Sequence, residues 1–192
     1  VLHVVDISEN NMVELVRDIR STLGYIKGDF ATFSIDCGGR EFEALMHASG
    51  GYDYVLNLSA LKHVRSEKDP FTLMRLVDVN VLNTIKTMEL ARTHGARKYF
   101  CVSTDKAANP VNMMGASKRI AEMVVGSIAK QANTAFITTR FGNVLGSSGS
   151  VIPLFRKQIA EGGPVTVTDP EVTRFFMTIP EACRLVLEAG AM

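Results

Sequence analysis

The chain has 192 residues, enough for one domain and a small annex at roughly 100–200 residues per domain, and 46% of them are hydrophobic. Its 21 lysines and arginines against 20 aspartates and glutamates leave a net charge of +1, which excludes the charge-rich signature of disorder and the basic excess of a nucleic-acid binder. No apolar run approaches the roughly 18 residues of a membrane span, no signal-peptide pattern opens the chain, and Cys37, Cys101 and Cys183, odd in number and far apart, read as reduced small hydrophobes of a cytoplasmic protein.

In chain order, residues 1–6 form a short apolar run ending in Asp6. Ser8 is a plausible N-cap for a helix whose apolar residues recur at helical spacing over 11–19. Residues 31–35 are a second strand, 40–48 a short helix and 54–58 a third strand. One long amphipathic helix is predicted from Pro70 to about His94, with proline in the first turn, where a missing N–H costs little, and Gly95 just past the end. A fourth strand over 98–103, a helix over 116–131 and a fifth strand over 135–140 follow. A glycine/serine loop at 146–150 then leads to a helix over 152–160, a short strand over 165–168 and a final helical start over 180–189.

Strands separated by helices of ten to twenty residues predict βαβ units and a parallel sheet. The expected fold is therefore α/β, a Rossmann-like doubly wound sheet over residues 1–145, with the beginning of a smaller substrate lobe over 146–192. Such sheets bind ligands at the carboxyl ends of their strands. Asp6 stands at such an end, where an acid can accept hydrogen bonds from ribose hydroxyls, or equally can sit near a helix N-terminus for the macrodipole. A ribose acid calls for a glycine-rich turn about twenty residues upstream, and the 15 glycines contain no GxGxxG anywhere. Ser103-Thr104-Asp105-Lys106 follows another strand and offers two hydroxyls beside two opposite charges. A desolvated lysine serves as a base, and a carboxyl of raised pKa as an acid; a capped turn with a solvated ion pair is the alternative. Lys118, twelve residues on, alone reads as a surface lysine.

The run Ser103-Thr-Asp-Lys-Ala-Ala-Asn-Pro-Val-Asn-Met-Met-Gly-Ala-Ser-Lys118 closely resembles the active-site segment of extended short-chain dehydrogenase/reductases, and within them the nucleotide-sugar dehydratases of polysaccharide biosynthesis, typified by UDP-N-acetylglucosamine 4,6-dehydratase. The resemblance continues in Ser59-Ala-Leu-Lys-His63, in Arg140-Phe-Gly-Asn-Val-Leu-Gly-Ser-Ser-Gly-Ser150 and in Thr168-Asp-Pro-Glu-Val-Thr-Arg-Phe-Phe-Met-Thr178. It implies a bound NAD or NADP, with Asp6 on the adenosine ribose, Asp36 and Cys37 beside the adenine, and Leu58, Lys62, Val102, Ser103, Lys118 and Val144 along the rest of the dinucleotide. Lys62, Asn143 and Arg174 would contact a UDP-sugar, Arg174 as a forked partner of the diphosphate. Thr104, Asp105 and Lys106 would be catalytic: Thr104 on the sugar O4, Lys106 taking the C5 proton and Asp105 protonating the leaving C6 hydroxyl.

One departure bears on this assignment. Most short-chain dehydrogenases place tyrosine four residues before the active-site lysine; here that position is Met114, whose thioether is only a weak acceptor. The resemblance also implies a first strand and glycine-rich turn ahead of Val1, more of the substrate lobe beyond Met192, and homo-oligomers formed through helix pairs such as 70–94 and 116–131. No nucleic-acid partner, no metal and no membrane segment is expected within these residues. The alternatives are a nucleotide-sugar epimerase on the same scaffold and a catalytically silent dinucleotide-binding module.

Overall fold

The computed structural model describes residues 1–192 apart from Gln131, Ser148 and Thr168, and describes Val64 by its backbone alone. Gln131 as a helix end, Thr168 as a strand end and Ser148 in the glycine/serine loop lie outside the described residues. Strand β1 (Leu2–Asp6), helix α1 (Glu9–Leu23) and strand β2 (Phe30–Ser34) form a first βαβ unit, with β1 and β2 parallel and Asp6 opposite Ser34. Ser8 caps α1 as expected, accepting the Asn11 N–H at 3.3 Å. Helix α2 (Arg40–Ala48) leads to strand β3 (Tyr54–Asn57). Beyond a 3-10 turn at Val64–Glu67, helices α3 (Pro70–Val77) and α4 (Asn83–Thr93) precede strand β4 (Lys98–Thr104). Helix α5 (Met113–Ala129) and strand β5 (Ala135–Phe141) complete a second parallel sheet, ordered β3-β4-β5. Strand β6 (Asn143–Val144), helix α6 (Val151–Ala160), strand β7 (Phe176–Met177) and helix α7 (Ile179–Ala191) follow, with β6 and β7 parallel.

The layers follow from strand alternation, which sends successive side chains to opposite faces. Tyr99 and Cys101 pack with Met88 and Ala91 of α4 and Val125 of α5. Phe100 packs with Phe141 and Ala189, joined by Val102, Ile137, Leu185 and Val186. Helices therefore cover both faces of β4, the doubly wound arrangement expected, and α7 returns from the 146–192 segment to cover the second face.

The structure corrects three expectations. The single helix over 70–94 is two helices joined by a π turn at Asp78–Leu82. Val79, Asn80 and Val81 of that turn are buried, and the Asn80 amide reaches Leu61 and Ser117 from it. Residues 165–167 form no strand; the strand of that region is β7, two residues long, paired with β6. The described strands also form separate sheets, β1-β2 and β3-β4-β5, rather than one. Among the described residues no ladder joins β1 to β3. Leu2, Tyr54 and Leu56 on these two unpaired edges are each 53% exposed, and side chains bridge the seam: His3 Nδ1 with the Tyr52 hydroxyl at 2.5 Å, and Arg75 with Asp36 at 2.6 Å.

Candidate active site

The carboxyl ends of the strands collect the expected site residues. Asp6 closes β1 and accepts the Ser8 N–H at 2.7 Å. Asp36, just past β2, is less open than a bare adenine contact. One oxygen pairs with Arg75 and the other accepts the Gly38 N–H at 2.9 Å. Burial raises its pKa, but the Gly38 and Arg75 contacts outweigh this and hold the carboxyl below its ordinary range. Cys37 meets the Ser59 hydroxyl at 3.6 Å, and burial pushes its thiol up. Val102, Asn143 and Val144 are half-buried, while Leu58 and Lys62 are exposed.

Two asparagines absent from the expected site fix the loop that carries Lys62. Asn57 ends β3 and donates to Thr84, Thr87 and the Tyr99 hydroxyl, while its oxygen accepts from both the N–H and the hydroxyl of Ser59. Asn80, wholly buried in the π turn, accepts the Leu61 N–H and donates to the Leu61 carbonyl, both at 2.9 Å, and reaches Ser117 at 3.0 Å. A buried amide must be hydrogen-bonded or it destabilises the fold, so these contacts hold the loop against α4 and α5. The available sequence signal was a polar residue at the close of an apolar strand and another inside an apolar helical stretch.

Around β4 the backbone turns sharply into a 3-10 turn at Asp105–Ala107, on which α5 lands. Gly115 permits the approach, because a Cβ there would lie 2.7 Å from the Lys106 carbonyl oxygen. Lys106 Nζ donates to Asp105 Oδ1 and to Asn143 Oδ1, each at 2.9 Å, and the Thr104 hydroxyl donates to the same Asp105 oxygen at 2.9 Å. Asn143 is brought to this position by β6: its N–H bonds the Phe175 carbonyl at 2.7 Å, and a Cβ on Gly142 would clash with that oxygen at 2.5 Å. The structure thus joins Thr104, Asp105, Lys106 and Asn143 into one cluster. Arg174 is exposed and donates to the Thr173 carbonyl.

Three features differ from the expected chemistry. Burial raises the pKa of Asp105, but the Lys106 and Thr104 hydrogen bonds and the Lys106 charge win, so the carboxyl sits below its ordinary range rather than above it. The desolvated lysine is Lys118, 6% exposed, not Lys106, whose side chain is 32% exposed. Burial pulls the Lys118 pKa down, and among the described residues its ammonium has no hydrogen-bond or salt-bridge partner. Finally, the Ser103 hydroxyl is already engaged, donating to Glu122 at 2.6 Å. Met114, one turn before Lys118, is buried as a core side chain. Among the described residues there is no cluster of metal-ligating side chains and no helix long and apolar enough to cross a membrane.

The chain is 55% identical over 140 residues to a Staphylococcus aureus capsular polysaccharide biosynthesis protein, covering 72% of this chain and 23% of that one. It is 40% identical over 155 residues to a UDP-glucose 4-epimerase of Rickettsia akari, covering 78% and 44%. It therefore spans less than half the length of either relative. Among solved structures, Pen from Bacillus thuringiensis superposes with a TM-score of 0.87 at 33% identity, over all of this chain and 57% of that one. The UDP-glucuronic acid 4-epimerase of Bacillus cereus, solved with UDP-glucuronic acid and NAD, shares the fold at a TM-score of 0.79 and 18% identity, over 94% and 61%. The family model for polysaccharide biosynthesis proteins matches residues 1–192, and with a parallel α/β fold and the Ser103–Lys118 segment in place, the chain belongs to that family, among the extended short-chain dehydrogenase/reductases that comprise nucleotide-sugar dehydratases and epimerases.

Proposed function

We propose that this chain forms the catalytic centre of a nucleotide-sugar 4,6-dehydratase acting on UDP-N-acetylglucosamine with bound NAD or NADP, in polysaccharide biosynthesis. The observation that carries the reading is the Thr104–Asp105–Lys106–Asn143 cluster at the carboxyl end of β4, together with a buried Lys118 whose ammonium has no partner among the described residues. A desolvated ammonium without a partner favours a ligand that brings acceptors to it, and ribose hydroxyls are such acceptors. Asp6 at the end of β1 would take the adenosine ribose, and its charge disfavours a 2′-phosphate, so NAD is the better fit. The glycine-rich cradle for the pyrophosphate is not among these residues.

The dinucleotide, when bound, supplies the acceptor and donor of the hydride that leaves sugar C4 and returns to C6. The protein's part is proton transfer. Thr104 holds the sugar O4. A shift of one proton along the 2.9 Å Lys106–Asp105 hydrogen bond turns the ion pair into a neutral amine and a carboxylic acid, the base and acid that the reaction needs. In the open site the ion pair is favoured; sugar binding that expels water reduces that preference, because desolvation penalises both charges. Oxidation at C4 releases the O4 proton, which passes by way of the Thr104 hydroxyl to solvent. Lys106 takes the C5 proton, Asp105 gives its proton to the departing C6 hydroxyl, and Lys106 then returns its proton to C5, so one water is lost, a 4-keto-6-deoxy sugar remains and Asp105 regains a proton from solvent. Self-association through the helices of 70–94 and α5 belongs to the same reading, supported by Phe71 and Met74, exposed on α3, and Met123, exposed on α5.

The test is incubation of the full-length protein with UDP-N-acetylglucosamine, followed by mass spectrometry of the sugar nucleotide. Loss of one water is expected, and Asp105→Asn should lower its rate by about 10²–10⁴-fold, the usual contribution of a positioned acid. Conversion without mass change would overturn the reading in favour of an epimerase, the second reading favoured by the 40% identity to the Rickettsia akari epimerase; cofactor binding without conversion would indicate a silent module.

A further inference from the structure

Glu122 lies one turn of α5 beyond Lys118 and outside every motif that carried the family resemblance. Its side chain is 13% exposed. Oε1 accepts from the Ser103 hydroxyl at 2.6 Å and from Arg140 Nε at 2.8 Å; Oε2 accepts from Arg140 Nη2 at 2.7 Å and from Arg119 Nη1 at 3.5 Å. Ser103 and Arg140 face each other across the β4–β5 ladder, so one carboxylate on the helix grips two strands at the same level. Immediately beyond that level lie Thr104, Asp105 and Lys106 on the β4 side, and Asn143, the acceptor for Lys106, on the β5 side.

Among the described residues Lys118 has no hydrogen-bond or salt-bridge partner, so its place is set by the seat of α5. Among the described residues, the side-chain hydrogen bonds from α5 to β4 or β5 are those of Glu122. We propose that Glu122 is a positioning residue: by tying α5 to Ser103 and Arg140, it sets the distance between Lys118 and the Thr104–Asp105–Lys106 cluster. The inference rests on the reaction proposed above for its catalytic readout, but not for its cofactor readout. The forked Arg140 pair keeps the Glu122 carboxyl below its ordinary range despite partial burial, so the grip is intact at neutral pH. The bidentate geometry also resists sliding in a way that a single hydrogen bond does not.

The experiment compares Glu122→Ala, Ser103→Ala and the double variant in the full-length protein, below their melting temperatures, by NAD titration and by initial rates on UDP-N-acetylglucosamine. Displacement of reacting groups by about 1 Å costs up to roughly 100-fold, so Glu122→Ala is expected to lower kcat about tenfold or more and to weaken NAD binding about fivefold. KM for the sugar nucleotide should stay within about threefold, since the sugar-binding groups are not moved. Ser103→Ala keeps the Arg140 fork and should lose less, and the double variant should be no worse than Glu122→Ala because both act through one contact. A merely structural role would lower the melting temperature and leave both readouts of the folded molecules within about twofold of wild type; that result, or additive losses in the double variant, overturns the proposal. If Glu122→Ala does not fold, the same twofold criterion is applied to Ser103→Ala. If the wild type converts no nucleotide sugar, the proposed reaction fails while NAD affinity still decides the role of Glu122.

Discussion

Lys118→Met removes the charge of a residue that is 6% exposed and whose ammonium has no partner among the described residues, and replaces it by an apolar chain of similar length. Exchanging a buried ion pair for apolar residues of similar volume is neutral or stabilising by up to about 4 kcal/mol, and a lone desolvated ammonium has no counter-charge to lose. Taking ~2 kcal/mol, and about 2–4 °C per kcal/mol for a chain of this size, Tm of the cofactor-free protein should rise by roughly 4–8 °C. The gain should also depend on pH. Burial lowers the Lys118 pKa in the folded state, so between that value and the unfolded value of about 10.4 the unfolded chain binds more protons and wild-type stability rises with pH. Below the folded pKa the full desolvation penalty is present; above the unfolded pKa it is gone. The advantage of Lys118→Met is therefore largest near neutrality and shrinks toward pH 10.5, as thermal melts across pH 7–10.5 would show. The same variant should bind NAD about 10–150-fold more weakly, the equivalent of losing a charge-assisted hydrogen bond of about 1.5–3 kcal/mol. A Tm that falls, or a gain that is constant with pH, would refute the view that Lys118 is a buried ammonium awaiting a ligand.

Two further outcomes are expected. The 192 residues expressed alone should bind NAD weakly or not at all by calorimetry, since no glycine-rich turn offers backbone N–H groups to the pyrophosphate; tight binding would show that another element supplies them. In native protein, a thiol reagent should label exposed Cys183 rapidly, half-buried Cys37 slowly and buried Cys101 only on unfolding, because exposure and thiolate character together set the rate, and burial raises the thiol pKa of both Cys37 and Cys101.

The sequence announced most of the architecture through local chemistry. Alternating apolar runs placed β1 to β5 within a residue or two, and Ser8, Pro70 and Gly95 marked helix ends through capping and backbone preferences. The π turn was invisible because residues 70–94 keep a helical apolar rhythm through the inserted residue, and only the burial of Asn80 reveals it. Strands β6 and β7 have two residues each, too few for a period of two to register. Thr104, Asp105 and Lys106 were legible as a group because they are contiguous. Their bond to Asn143 was not, because it depends on a close approach at Gly142 that is set by the Phe175 carbonyl 33 residues away in the chain. Glu122 carried no signal of its own, since a glutamate in an amphipathic helix is ordinarily a solvated charge.

The seam between β1 and β3 also bears on cooperativity. Within β3-β4-β5 the ladders and the shared cluster of Met88, Tyr99 and Val125 make opening of any part costly. The β1–α1–β2 unit is fastened to that body through side-chain contacts such as His3–Tyr52 and Arg75–Asp36, and through Lys86, which donates to the carbonyls of Gly38 and Gly39. Such a unit can open while the rest stays closed, with its amides exchanging ahead of those in β4. A ligand reaching from Asp6 at one side to Lys118 at the other would span that divide and bind only the closed form. Its binding free energy would then appear as added stability of the first unit, and occupancy of the site and unity of the domain would become one equilibrium.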